Sequence, residues 1–116
     1  MNKNIKKYFV EALRSNRFNQ SKSGELGFEH QNGNQIHCAM GVLCELATDA
    51  GKVEKKVLKE EYTRGMIVYD GIGGFEPDSI LEWAEMSHLE ASTIRRLNDQ
   101  KRYSFAKIAD YVEENM

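Results

Sequence analysis

The segment "CAMGVLCELATDAG", from Cys38 to Gly51, constrains the fold more than any other part of the chain. Met40, Leu43, Leu46, Ala47 and Ala50 recur at intervals of three and four, the helical period, and only Glu45, Thr48 and Asp49 ask for water. A helix apolar around most of its circumference has to be covered on nearly every side. The spacing therefore predicts a central helix with the rest of the chain packed around it, stopped by Gly51. Leu, Ile, Val and Phe make up 26 of the 116 residues, enough for one modest core and too few for two. Residues 1–116 are accordingly read as a single domain.

The other elements follow from period and punctuation. Ile5, Tyr8, Phe9, Ala12 and Leu13 mark an amphipathic helix from Asn4 to Arg14, capped by Asn2 or Asn4. "ELGFEH" and "NQIHC" flank Asn32-Gly33, a strong hairpin dipeptide, and are expected to pair across it. Val53 to Tyr62 reads as a second, more charged helix, and "MIVYDG" as a strand ending in a turn. Pro77 opens a short helix whose buried stripe is Ile80, Trp83 and Ala84. Ser87 and Glu90 form a capping box for a helix that ends at Asn98-Asp99, and Ser104 caps a last one through Phe105, Ile108, Ala109 and Val112. The expectation is an α+β, helix-dominated domain with five or six helices and a small two- or three-stranded antiparallel sheet.

Charge and cysteine content narrow the setting. The formal charge is −2, so nucleic acid is not the expected partner. Lysines and arginines interrupt the first twenty residues, which leaves no signal-peptide core, and no apolar run approaches membrane-spanning length. With two cysteines and no disulfide framework, a cytoplasmic protein with reduced thiols is expected.

Four stretches in order, "FVEALRSNRFNQ", "HCAMGVLCELATDAG", "PDSILEWAEM" and "LNDQKRYSFAKIADYVEEN", resemble a family of small phage- and plasmid-borne proteins. Its marks are C-x-x-G-V-L-C-[DE]-L-A and, further on, L-N-D followed by S-F-x-x-I-A-D. His37 departs from that pattern, whose residue before the first cysteine is commonly Cys or an aromatic. The resemblance implies a mobile-element origin and a cytoplasmic setting, and carries no activity with it.

Cys38 is the strongest catalytic candidate, because a thiol at a helix N-terminus meets unpaired N–H groups and the positive end of the dipole, which lower its pKa. A Cys opening a helix with Gly three residues on also faintly resembles the nucleophile helix of papain-like cell-wall peptidases. The base would come from His30, His37 or His88, and the orienting group from Asn98 or Asp99. The plainer reading is a small buried hydrophobe beginning a core helix. Cys44 lies six residues further on, about 240° around the helix, so the two sulfurs should neither bridge nor share a metal. No metal and no cofactor is expected. "DGIGGF" lacks the order of a phosphate-binding loop and reads as a turn; Arg95, Arg96, Lys101 and Arg102 read as a solvated helix end.

Asp78, Glu82 and Glu85, spaced four and three apart, fall on one exposed helical face beside Trp83. Such a face is often merely solvated. With the phage-like resemblance, it suggests instead a non-enzymatic protein that docks these carboxylates on a basic host protein, such as a component of a defence system. Cysteine chemistry at Cys38, with His37, His88 and Asn98, is the alternative.

Overall fold

A computed structural model describes residues 1–116. The first helix, α1 (Lys3–Arg14), starts at Asn2, whose side-chain oxygen accepts from the N–H groups of Asn4 and Ile5 at 3.0 and 3.1 Å. The central helix α2 (Ala39–Asp49) begins one residue after Cys38, and every residue from Ala39 to Cys44 is buried. Around it stand α3 (Asp78–Ala84), α4 (His88–Asp99) and α5 (Phe105–Asn115). The capping box on α4 is complete: Glu90 N–H donates to Ser87 Oγ at 3.0 Å, and Ser87 N–H to Glu90 Oε1 at 2.9 Å. Pro77 is the N-cap of α3, one position earlier than a first-turn proline.

The strands form two small sheets where one was expected. In the first, β3 (Gln35–His37) lies between β2 (Phe28–Glu29), antiparallel across the Asn32-Gly33 turn, and β1 (Asn19–Gln20), which runs parallel to it. The parallel strand was invisible as periodicity because its place is set by a polar side chain. Gln20 Nε2 donates to Asn98 Oδ1 and Tyr103 O, and Gln20 Oε1 accepts from Phe105 N–H. The second sheet pairs β4 (Lys55–Val57) with β5 (Ile67–Tyr69).

That pairing corrects the helix expected over Val53 to Tyr62. Ile67, Val68 and Tyr69 are all buried, and a buried strand needs a neighbour for its backbone groups. Residues 55–57 supply it, and a turn replaces the rest of the expected helix. An isolated Phe28–Met66 bridge, with Glu29 N–H donating to Gly65 O at 2.7 Å, links the two sheets. Asp70 and Gly71 both have positive φ, 52° and 79°, and close a tight turn between Tyr69 and Ile72.

One apolar cluster fills the interior, with Phe9, Met40, Leu43, Tyr69, Ile80, Ile94 and Ile108 fully enclosed. No helix is long and apolar enough to cross a membrane.

Candidate functional site

Cys38 stands where expected, at the N-cap of α2, yet its thiol behaves in the opposite sense. Burial pushes its pKa up to about 11, outweighing the backbone amides of Gly41 and Met40 that favour the thiolate. The side chain makes no capping hydrogen bond. Burial also drives the Cys44 thiol well up.

The expected partners are scattered. His30 is exposed and meets the edge of Phe28; His88 is exposed and stands 3.6 Å from Asp78. Asn98 is wholly buried and fully occupied by two backbone groups, the Gln20 amide and the Asp99 carboxylate. Its Oδ1 accepts from Ala39 N–H at 3.1 Å and from Gln20 Nε2 at 3.0 Å, while its Nδ2 donates to Ser21 O and Asp99 Oδ1, each at 2.8 Å. It therefore ties the start of α2 to β1 and the end of α4, and has no oxygen to spare for orienting an imidazole.

His37 belongs to a different cluster, assembled around Glu45. The carboxylate accepts from Lys55 Nζ at 2.8 Å and from the Tyr69 hydroxyl at 2.5 Å. His37 Nε2 lies 3.4 Å from Glu45 Oε2, but neither ring nitrogen makes a hydrogen bond within the protein, so this is an electrostatic contact only. Phe18 packs edge-on against the imidazole. Burial by itself would raise the Glu45 pKa, but His37, Lys55 and Tyr69 outweigh it and hold the group down to about 2. The Tyr69 hydroxyl moves the other way, driven up by burial and then by the Glu45 charge. Glu45 was expected to face water, and its side chain is only 12% exposed. What the cluster can do chemically is hold one carboxylate ionised inside the domain and tie α2 to β3, β4 and β5.

The acidic face is only partly a helical stripe. Asp78 and Glu82 lie on α3 and are exposed. Glu85 follows the helix in the left-handed conformation, φ 53°, and accepts from Asn2 Nδ2 at 2.8 Å. Trp83 is only partly buried; Ile80, Leu81 and Ala84 are the residues that anchor α3. The basic run divides likewise, with Arg95 donating to the buried Glu76 at 2.7 Å while Arg96, Lys101 and Arg102 stay exposed.

Over residues 1–116 the sequence matches a family model described as a domain of unknown function. The chain belongs to the DUF8296 family. No curated protein and no solved structure matches it. In this DUF8296 chain Glu45, Tyr69, Lys55 and Gln20 do much of the polar work inside the fold and lay outside the sequence-based candidates, whereas Asn98 was among them in a different role. Glu45 carried the one available signal, a carboxylate within an otherwise apolar helix.

Proposed function

We propose that this DUF8296 chain is a phage- or plasmid-type accessory protein that works in the bacterial cytoplasm by binding a host protein, such as a defence component, without covalent chemistry. The observation that carries the reading is the exposure of Asp78 and Glu82 on a helix pinned by three buried residues. Carboxylates on a rigid support steer a basic partner without first paying to order themselves. Glu85 extends the surface at the end of α3. The interior offers less to an enzyme: the Cys38 thiol is buried and protonated at neutral pH, and the imidazole next to it in sequence faces Glu45.

The test is affinity capture from a bacterial lysate at low and physiological salt, comparing the wild type with a Glu82→Lys, Asp78→Asn double variant. The expected outcome is a captured protein whose yield falls with the reversal and with salt, since exposed charges are screened beyond about 8 Å at physiological ionic strength. Equal yields from both proteins would remove α3 as the docking surface.

A further inference from the structure

A pocket of about 570 Å³ lies where one flank of α1 meets Glu113 of α5. Four cations line it, Lys3, Lys6, Lys7 and Arg14, against two carboxylates, Glu11 and Glu113, so the lining carries +2 in a chain whose formal charge is −2. Arg14 is already engaged, donating to Glu113 at 3.1 Å and to Asp110 at 2.7 Å. Lys3, Lys6 and Lys7 make no ion pair. Lys3 precedes Lys6 and Lys7 by three and four residues, so the three ammonium groups share one side of the helix and repel one another. Glu11 alone is left to offset them. The N-terminus of α1 is not part of this site, because Asn2 Oδ1 already holds the N–H groups of Asn4 and Ile5.

The sign of the charge calls for an anion, and the rest of the lining selects which. Val10 is its one apolar residue, and no aromatic ring reaches it. An acidic protein segment would find no seat here for the apolar anchors that carry most interface energy, and a nucleobase would find nothing to stack on. Three ammonium groups on flexible stems around one concavity favour instead a compact oxyanion with several charges, which they meet as point charges without a fixed geometry. The concave wall concentrates their potential. We infer that this pocket binds a short phosphate chain, free or carried by a nucleotide, through Lys3, Lys6 and Lys7, with any sugar and base left outside. The site goes beyond docking through α3, whose carboxylates attract the opposite charge.

The test is calorimetric titration of the whole chain at low salt, without divalent metal, using tripolyphosphate, adenosine triphosphate and adenosine monophosphate as probes. The first two should bind saturably, with affinities within about threefold of each other, and the monophosphate about tenfold more weakly. Binding should fall steeply as salt is added. Lys3→Gln and Lys7→Gln, at exposed positions and with little change in helix propensity, should each weaken tripolyphosphate about fivefold, while Glu11→Gln should tighten it. Lys101→Gln removes an exposed cation beyond α4 and should leave the affinity as it is. The inference is overturned if tripolyphosphate does not bind, if the monophosphate binds as well, or if Lys101→Gln weakens binding as much as Lys7→Gln. It is equally overturned if adenosine triphosphate binds more than about tenfold tighter than tripolyphosphate, which would mean that the base is read. Two further probes decide between partners of the same sign: a hexaglutamate peptide that matched tripolyphosphate would assign the face to an acidic protein, and an oligothymidylate that outbound it would assign the face to nucleic acid, either result displacing the phosphate chain.

Discussion

Glu45→Gln would leave the Lys55 ammonium held only by Gln35 Oε1 and without its counter-ion, and would offer one acceptor oxygen where Lys55 and the Tyr69 hydroxyl now have two, so it is expected to cost about 2 kcal/mol at pH 7. The pH profile carries a second signature. A group whose folded pKa is depressed contributes stability above its unfolded pKa and loses it as pH falls through the folded one. For Glu45 that window runs from about pH 4.5 down to about pH 2, and the variant's denaturation midpoint should vary less across it than the wild type's. Parallel profiles for the two proteins would show that the carboxylate is not held ionised by its neighbours. Cys38 gives the complementary case, a thiol raised by burial to about 11. Iodoacetamide should label the native protein slowly at pH 8, with the rate still climbing toward pH 11, and urea should abolish the protection. Fast native labelling at neutral pH, lost in Cys38→Ser, would contradict the burial and revive thiol chemistry. Neither shift was legible in the residues alone. A helix N-terminus lowers a thiol pKa and a polar residue seeks water, until the rest of the fold buries both.

Among the elements, those announced by capping chemistry and period stood where the residues put them: Asn2 on α1, Ser87 with Glu90 on α4, Ser104 on α5. Elements settled by distant partners did not. Residues 55–57 carry a helix-compatible pattern and became a strand because β5 lacked a neighbour, and β1 exists because Gln20 reaches Asn98. Gly41 belongs with this second group. A Cβ there would lie 1.7 Å from the carbonyl oxygen of Leu26, so α2 can pass the chain before β2 only at a glycine. Gly41→Ala is expected to cost about 3 kcal/mol or more, by chemical denaturation, despite alanine's better helix propensity. A neutral or stabilising effect would mean that the segment around Leu26 gives way easily. Asn98→Ala should be comparably damaging, about 3 kcal/mol, because it leaves Ala39 N–H and Ser21 O buried without partners.

At the scale of the molecule, one continuous core implies one transition: Trp83 emission and far-ultraviolet circular dichroism should report the same urea midpoint. Phe105, buried at the start of α5, tests whether the last helix belongs to that unit. Phe105→Ala is expected to cost about 3 kcal/mol and lower Tm by on the order of 10 °C. An unchanged Tm would place α5 outside the cooperative fold. The packing of α5 against α1 bears equally on how the chain comes to be folded. Arg14 reaches Asp110, 96 residues further along, and Glu113 beyond it. On a ribosome adding residues from the N-terminal end, α1 emerges before α2, α3 and α4, and all three precede its main neighbour. Until then Ile5, Phe9 and Leu13 have only part of their cover, chiefly from α2, and α1, made before α2 to α5, is among the last of these helices to be secured.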